Sequence, residues 1–369
     1  MATKESGKDL FKINGFDHVE LWVGNARHTS YYFTNGFGMD LVAYSGFETG
    51  NRAFASYVLE QNDIQFVISS PYTATSEIAA HQMLHGDGAK FVGIEVDNAT
   101  EAYRIATKNG ALGIMPPTVT EDENGKIITS AIQIYGDTVH RFVERKNYKG
   151  PFAPGYQERK GKSNGKAVGL LEIDHIVGNV EVSKMEYWAN FYKRIMGFDS
   201  LIEFSEKDIS TKYSALRSVV MRNESLKIRL PINEPAPGLR KSQIEEYLDF
   251  YRGPGVQHVA LRTVDIVRTI SEMRDRGIEF MRVPKTYYEE LPNRVGAIDE
   301  DFGEIEDLGI LADRDKDGYL LQLFTRNTQD RPTMFYEVIQ RKGSQGFGKG
   351  NFKALFESIE REQAERGNL

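Results

Sequence analysis

The chain has 369 residues, of which 40% are hydrophobic and 27% are charged, with 21 Phe and 18 Tyr. This composition is globular, and the length favours two domains with buried cores. The formal net charge of -7 carries no basic run, which excludes the electrostatic signature of a nucleic-acid binder, and the absence of cysteine excludes disulfides, thiolate nucleophiles and iron–sulfur clusters.

The N-terminal segment from Met1 to Lys12 is polar and lacks the apolar core of a signal peptide. No apolar run along the chain is long enough to span a bilayer. We therefore expect a cytoplasmic protein without a membrane partner.

The first half of the chain predicts two pairs of strand and helix, then a hairpin and a closing strand. In chain order these are a strand at 15–19, a helix ending at the glycine turn 36–38, a strand at 88–94, a helix ending at Gly110, a hairpin turn at 122–125 and a closing strand at 138–144. The next segment is rich in Gly, Pro, Lys and Ser, which is typical of a linker. We predict an N-terminal domain over residues 1–150 and a linker over 151–166.

The second half repeats this order, which indicates a duplicated unit. Its members are a strand at 172–176, a helix ending at Gly197, a strand at 255–261, a helix ending at Gly277, a hairpin turn at 315–318 and a closing strand at 333–339. The strand-helix-strand-strand-strand repeat predicts an α+β fold whose curled mixed sheets surround a cavity, with helices outside. The second domain is predicted over residues 167–369.

A helix is predicted over residues 351–366, because Phe352, Leu355, Phe356 and Ile359 recur at helical spacing. The glycine-rich loop before it leaves the segment able to hinge. We expect this C-terminal helix to act as a gate over the cavity, with a helix that merely caps the sheet as the alternative.

Three residues of the second half predict a metal site. His175 and His258, the only histidines of this half, occupy equivalent positions in the repeated strands, and Glu337 lies in the apolar closing strand. A buried carboxylate needs a partner. Two imidazoles and one carboxylate form the facial triad of non-haem iron(II) oxygenases, which leaves coordination positions open for substrate and oxygen. A lone histidine would favour ordinary core packing, but three such residues in register favour metal ligands.

The first half provides an internal comparison. His18 and Glu144 are expected at the places of His175 and Glu337, but Phe91 stands where His258 stands. We therefore interpret the first domain as structural.

Several motifs of the chain resemble the 4-hydroxyphenylpyruvate dioxygenase family, from about Phe11 to Leu369. They are Asp174 to Val180, Pro231 to Pro235, Gly255 to Leu261, Gln329 to Glu337, Gly346 to Phe352 and the terminus Arg366 to Leu369. The resemblance implies two modules of the vicinal oxygen chelate type, with the active site in the C-terminal one and iron(II), Fe(2+), as the cofactor. It also implies 4-hydroxyphenylpyruvate and O2 as substrates, and we expect a homo-oligomer, either dimer or tetramer.

The same resemblance implies a substrate pocket of amide and aromatic side chains, which can hold oxygens without adding charge and can clamp a ring. The residues assigned to catalysis are Gln257, Gln322 and Phe335, and those assigned to substrate binding are Ser218, Asn233, Gln243, Phe324, Phe347, Asn351 and Phe352. For each residue alone, ordinary core packing is the alternative.

The reaction implied by the resemblance converts 4-hydroxyphenylpyruvate and O2 to homogentisate and CO2 in tyrosine catabolism. It combines oxidative decarboxylation, ring hydroxylation and migration of the side chain. A 4-hydroxymandelate synthase, which oxidises the benzylic carbon of the same substrate, is one alternative. A metal-free ligand-binding protein of the same fold is another.

Overall fold

A computed structural model describes residues 7–161 and 167–368 of the chain. Its first half contains the strands β1 (Ile13–Trp22), β2 (Asp40–Ser45), β3 (Phe54–Gln61), β4 (Ile64–Pro71), β5 (Gly88–Val96), β6 (Gly113–Asp122), β7 (Gly125–Gln133), β8 (Val139–Glu144) and β9 (Gln157–Gly161). The helices of this half are α1 (Ala26–Gly36), α2 (Glu77–His85) and α3 (Ala99–Lys108).

The second half contains the strands β10 (Leu170–Asn179), β11 (Asp199–Phe204), β12 (Ala215–Arg222), β13 (Arg229–Ala236), β14 (Gly255–Thr263), β15 (Leu311–Arg314), β16 (Tyr319–Phe324) and β17 (Phe335–Lys342). Its helices are α4 (Met185–Met196), α5 (Gln243–Tyr251), α6 (Ile266–Asp275), α7 (Thr286–Glu289), α8 (Leu291–Val295), α9 (Phe302–Leu308) and α10 (Phe352–Glu365).

Each half forms one mixed sheet, and the two sheets have the same strand order. The first runs β6-β7-β8-β5-β1-β4-β3-β2-β9, and the second, from the opposite end, runs β15-β16-β17-β14-β10-β13-β12-β11. In the first sheet the central strands β1 and β5 pair antiparallel, and their outer neighbours β4 and β8 run parallel to them. In the second sheet β10 and β14 pair antiparallel, and their outer neighbours β13 and β17 run parallel to them. The predicted α+β fold with a repeated unit is confirmed.

Short polar signals set the limits of the helices that repeat. Helices α1, α3 and α6 begin after Asn25, Asn98 and Asp265, whose side chains each accept a hydrogen bond from the backbone N–H three residues later. Helix α4 ends at Gly197, which has a left-handed φ of 79° that favours glycine. These signals made the helices predictable from sequence.

The predicted linker contains regular structure. Strand β9, within residues 151–166, pairs antiparallel with β2 and extends the edge of the first sheet. Its described side chains, 157–159, are exposed, so no apolar pattern marks the strand. The domain limits at 150 and 167 stay a prediction.

The two halves share one hydrophobic core, which continues across their boundary. Tyr336, on β17, is fully buried and packs edge-on against Phe33 and Phe37 of α1, with ring centroids 5.3 Å away in both cases. Successive side chains of a strand point to opposite faces, so Tyr336 and Glu337 lie on opposite faces of β17. The first half of the molecule therefore packs against the face of β17 that is turned away from the predicted metal site. Among the described residues, no helix is long and apolar enough to cross a membrane.

Candidate metal centre

The three predicted ligands lie on three adjacent strands of the second sheet. His175 is on β10, His258 on β14 and Glu337 on β17, and these strands are neighbours in that order. In the register of the sheet, Ala260 of β14 pairs with both His175 and Glu337, and His258 lies two residues before Ala260 on the same face. The fold therefore brings the three side chains together.

The ligand atoms converge in a buried site. The Glu337 carboxylate oxygen Oε2 lies 3.2 Å from His175 Nε2 and 3.3 Å from His258 Nε2. All three ligand atoms lie within 4.8 Å of one another. The residues are only 3% (His175), 7% (His258) and 2% (Glu337) exposed. Such a group can hold one metal ion.

The outer nitrogen of each histidine ring has its own acceptor. His175 Nδ1 donates to Asp174 Oδ1 at 2.7 Å, and His258 Nδ1 donates to Gln257 Oε1 at 3.0 Å. Because these bonds hold the hydrogen on Nδ1, both Nε2 lone pairs point toward Glu337 and the metal position. The donor set and its tautomers therefore fit a metal bound by two imidazoles and one carboxylate.

Arg341 holds the acceptor of His175 in place. Its guanidinium donates twice to Asp174, from Nε at 2.7 Å and from Nη2 at 2.8 Å. Burial alone would raise the pKa of Asp174, but Arg341 and His175 outweigh burial and hold that pKa well below its usual range. Asp174 is therefore a carboxylate whenever it accepts from His175.

The electrostatics of the ligands follow from their mutual contacts. Burial opposes a charge on His175, but the Glu337 and Asp174 carboxylates outweigh it and raise the pKa of His175 above 6.5. Burial lowers the pKa of His258. Burial alone would raise the pKa of Glu337, but the two imidazoles outweigh it and lower that pKa. Glu337 is thus ionised through the range in which the histidines titrate.

A cavity opens onto the ligands. Nine of the ten residues predicted for catalysis or substrate binding line it, and they are Ser218, Asn233, Gln243, Gln257, Gln322, Phe324, Phe335, Phe347 and Phe352. Phe335 stacks on the His258 ring, with centroids 4.8 Å apart and 19° between the planes. The Phe347 ring meets His175 edge-on at 5.0 Å. Aromatic rings therefore pack directly against both ligand imidazoles.

Asn351 is the predicted pocket residue that does not line the cavity. Its side-chain oxygen accepts hydrogen bonds from Tyr287 Oη at 2.6 Å and from Arg294 Nη2 at 3.2 Å. These bonds fix the start of α10 and thereby the position of Phe352. A direct contact between Asn351 and a substrate stays a prediction.

Leu355 and Phe356 of the predicted C-terminal helix also line the cavity, together with apolar residues that the sequence analysis did not single out: Val177, Phe204, Ile209, Leu216, Val220 and Pro231. The alternation of side chains along strands could have identified Val177, which lies two residues after His175, and Pro231, which lies two residues before Asn233. Phe204 ends strand β11 and Ile209 lies in the following loop, where no local pattern marks them.

The predicted counterpart of Glu337 in the first half is wrong. Strand β8 pairs with β5 so that Arg141, not Glu144, lies opposite Gly93, just as Glu337 lies opposite Ala260. Glu144 instead accepts from the backbone N–H of Ala99, at the start of α3. Both predicted closing strands contain a glutamate near their end, which makes Glu144 look equivalent to Glu337 in sequence. The pairing with the neighbouring strand, however, decides which residue faces the site.

Arg141 brings a positive charge to the place that a metal would occupy in the first half. Its Nη1 lies 2.9 Å from Glu20 Oε2 and 3.5 Å from His18 Nε2, and its guanidinium stacks 3.7 Å from the centre of the Phe91 ring. An arginine in this position excludes a metal ion by charge. The interpretation of the first half as structural fits this geometry.

His81, His85 and Asp137 form a second group with the spacing of metal ligands. Asp137 Oδ2 lies 2.8 Å from His81 Nδ1 and 3.4 Å from His85 Nε2. However, the Lys90 ammonium lies 3.2 Å from the same oxygen and donates to the Asp137 backbone carbonyl at 2.6 Å. Because a lysine already neutralises this carboxylate, the group fits a structural network better than a metal site.

Comparison with known proteins agrees with this geometry. Residues 15–140 and 172–323 match the family described as the Glyoxalase/Bleomycin resistance protein/Dioxygenase superfamily. The chain is 47% identical to 4-hydroxyphenylpyruvate dioxygenase of Dictyostelium discoideum, over 97% of this chain and 100% of that protein. It is 45% identical to 4-hydroxyphenylpyruvate dioxygenase of Coccidioides posadasii, over 98% of this chain and 96% of that protein.

A solved structure has the same fold. A mutant of 4-hydroxymandelate synthase from Streptomyces coelicolor superposes with a TM-score of 0.85 at 28% identity, over 95% of this chain and 99% of that chain. The likeness covers both repeated halves, so the duplicated architecture extends to that protein.

Replacing His175, His258 or Glu337 by alanine should remove the metal while the fold persists, because each change opens one coordination position. We expect metal affinity to fall by more than about 100-fold, beyond the effect of losing an outer-shell partner. The measurement is metal content per chain after dialysis, together with circular dichroism. The matched control is His18→Ala, which should keep one metal per chain, and a triad variant that retains full metal content would refute the assignment.

Metal affinity should fall as the pH is lowered, because protons compete with the metal for imidazole nitrogens. The pKa of His175 is raised above 6.5, so its protonated form accumulates as the pH drops through that raised value, and the loss of affinity should begin above pH 6.5. One competing proton changes affinity by about tenfold per pH unit below that pKa. Metal titrations at several pH values measure this slope, and a constant affinity across the histidine range contradicts ligation by these imidazoles.

Proposed function

The chain belongs to the 4-hydroxyphenylpyruvate dioxygenase family, within the Glyoxalase/Bleomycin resistance protein/Dioxygenase superfamily, and on this premise we propose that it converts 4-hydroxyphenylpyruvate and O2 to homogentisate and CO2 in tyrosine catabolism. The active site is the cavity above His175, His258 and Glu337. We expect the enzyme to work in the cytoplasm as a dimer or tetramer.

The metal of this site is iron(II). A dioxygenase needs a metal that exchanges electrons, which zinc does not do, and two histidines with one carboxylate are the ligand set of non-haem iron(II) oxygenases. When bound, the iron supplies redox chemistry and open positions at which the keto acid and O2 meet. His175, His258 and Glu337 would hold the iron at the wall of the cavity that they line.

One observation carries this function: among the described residues that line the cavity, His175, His258 and Glu337 alone are ionisable. No arginine or lysine in that lining is available to pair with the carboxylate of an anionic substrate. The carboxylate of a keto acid would therefore pair with the bound metal ion, because the single Glu337 carboxylate would neutralise only one of its two positive charges. This pairing would leave no net charge in the apolar pocket, where an unpaired charge is costly.

The rest of the cavity suits a phenol ring. Phe335 and Phe324 stand beside His258, with Phe324 edge-on at 5.9 Å, so a ring held near the metal is enclosed by aromatic faces and edges. Ser218 and Asn233 are direct partners across β12 and β13, which places a hydroxyl and an amide side by side on the wall. Neutral groups of this kind can bind a phenol oxygen without adding charge to the pocket.

Three glutamines also line the cavity, and two of them, Gln257 and Gln322, are the ones assigned to catalysis. Gln257 accepts from His258 Nδ1 and also lines the cavity, so its amide links the ligand ring to the space for substrate. Gln322 lies on β16, two residues before Phe324 and on the same strand face. We assign both to orienting substrate oxygens near the metal, and Phe335 to holding the ring for attack.

Helix α10 closes the cavity through Phe352, Leu355 and Phe356. It is anchored at its far end, where the buried Glu360 carboxylate accepts from Thr211 Oγ1 at 2.5 Å and Ser214 Oγ at 2.6 Å. We propose that the helix opens to admit substrate and closes to exclude water during the reaction.

A 4-hydroxymandelate synthase is the second candidate, favoured by the solved neighbour at 28% identity. The full-length relatives named as 4-hydroxyphenylpyruvate dioxygenases are more similar, at 45% and 47% identity. Both reactions use the same metal ligands, so the shape of the pocket around the ring must decide between them.

The product distinguishes the two candidates. Iron-loaded protein given 4-hydroxyphenylpyruvate and O2 should release homogentisate, whose ring carries three substituents. Homogentisate and 4-hydroxymandelate are isomers, so proton NMR coupling rather than mass identifies the product. A symmetric para-disubstituted ring with a carbinol proton would make the protein a synthase, and a protein that takes up no iron would match the metal-free ligand-binding alternative.

Weakening the anchor of α10 should uncouple the reaction. Glu360→Ala removes two hydrogen bonds to a buried carboxylate, which should weaken the closed state by about 1.5–3 kcal/mol. We expect this variant to consume more O2 than the homogentisate it forms, because water reaches the reacting centre. The matched control is Arg361→Ala, at the next and exposed position of the helix, and equal coupling in both variants would leave α10 as a simple cap of the sheet.

A further inference from the structure

The metal ligand His175 belongs to a four-residue unit that the chain contains twice. In the second half, His175 donates to Asp174, Asp174 accepts the fork of Arg341, and the ring of Phe347 meets His175 edge-on at 5.0 Å. The Arg341 guanidinium lies 5.3 Å from the centre of the Phe347 ring. The four side chains thus form a closed cycle of contacts.

The first half contains the same cycle. His18 Nδ1 lies 2.5 Å from Asp17 Oδ1, and Arg145 donates to both oxygens of Asp17, at 2.6 and 2.7 Å. The Phe152 ring meets His18 edge-on at 5.5 Å and lies 5.1 Å from the Arg145 guanidinium. Arg145 follows Arg141 by four residues, as Arg341 follows Glu337, so the two arginines are equivalent in the repeat.

Each arginine also holds the loop that follows the closing strand of the repeat, β8 in the first half and β17 in the second. Arg145 Nη1 donates to the carbonyl of Phe152 at 2.5 Å, and Arg341 Nη1 donates to the carbonyl of Gly346 at 2.6 Å. One guanidinium therefore connects the histidine, through its aspartate, with a loop. This arrangement occurs in the first half without a complete ligand set, so its basic role is to fasten the loop to the sheet.

The two loops lead to different places. The loop of the first half continues to β9, which pairs with β2 at the edge of the first sheet. The loop of the second half, residues 343–347, continues to α10, which closes the cavity. Asp315 holds this second loop from its other side, because its Oδ2 accepts from Ser344 Oγ and from the Gly346 N–H. In this half alone, the unit lies between a metal ligand and the closing helix.

We propose that Arg341 is a positioning residue that couples the metal ligand His175 to the closing segment 343–352. It fixes the Asp174 carboxylate that orients the His175 ring, and it fixes the Gly346 carbonyl that sets Phe347 against the same ring. Metal binding, which locks His175, therefore stabilises the closed position of the segment, and closure in turn stabilises the ligand. This inference rests on the proposed metal-dependent function.

The loss of Arg341 should act on the metal through Asp174. Without its fork, the buried Asp174 carboxylate keeps only the longer contact with Arg229, whose Nη1 lies 3.5 Å from Oδ2, and it is free to rotate away from His175. This rotation weakens the acceptor of His175 Nδ1, and losses of such outer-shell partners lower metal affinity by about 10- to 100-fold.

The test compares full-length wild-type protein with Arg341→Gln and with the matched control Arg145→Gln. Metal-free protein is titrated anaerobically with iron(II) against a chromophoric chelator, and amide hydrogen exchange of residues 343–352 is followed with and without iron(II). We expect Arg341→Gln to bind iron(II) about 10- to 100-fold more weakly and to lose the iron-dependent protection of the segment. Arg145→Gln should lower thermal stability only, with affinity and protection unchanged.

A further variant, Arg341→Lys, keeps a positive charge beside Asp174 but lacks the planar fork that also reaches Gly346. It should regain part of the affinity without regaining the protection, and it serves as the test if Arg341→Gln does not fold. Wild-type affinity and protection in the Arg341 variants, or equal losses in Arg145→Gln, would overturn the coupling. Failure of the wild-type protein to bind iron(II) would overturn the proposed function, and with it this inference.

Discussion

The carboxylate of Glu337 lies in the interior of a sheet with two imidazole nitrogens 3.2 and 3.3 Å from one of its oxygens. A charge in such a place is costly unless a cation neutralises it, and each imidazole in its neutral form presents a lone pair rather than a proton to the shared space. A metal ion satisfies all three groups at once. The need for a metal ion at this place gives a function to the fixed histidine tautomers and to the aromatic rings around them. It also gives a function to a cavity whose described lining has no other ionisable side chain.

Each half has a buried carboxylate at the centre of its sheet, and the two carboxylates are neutralised in different ways. In the second half the centre of the sheet is left for a metal ion, whereas in the first half Arg141 supplies an internal cation and pairs with Glu20. The change depends on two positions, since Phe91 replaces a ligand histidine and Arg141 replaces the ligand glutamate. The surrounding unit of arginine, aspartate, histidine and phenylalanine is present in both halves, so the scaffold remained while the chemistry was confined to one copy.

Much of this could be predicted from the sequence, because the repeat places histidines at equivalent positions of predictable strands. That pattern and the family resemblance predicted three ligand residues that the fold brings together and nine residues that line the cavity beside them. The prediction of Glu144 as the counterpart of Glu337 is wrong because an isolated strand does not reveal its register with β5, which only the sheet fixes. Strand β9 lacks an apolar pattern, and the fork between Arg341 and Asp174 joins residues 167 positions apart, so neither had a local signal.

The most direct test of the account is anomalous X-ray scattering at the iron edge from crystals of the iron-loaded protein. The account predicts one iron peak per chain, between His175 Nε2, His258 Nε2 and the Glu337 carboxylate. It predicts no peak beside Arg141 in the first half or beside Asp137, where arginine and lysine already supply the positive charge. A peak at either of those places, or none at the triad in protein that contains stoichiometric iron, would contradict it.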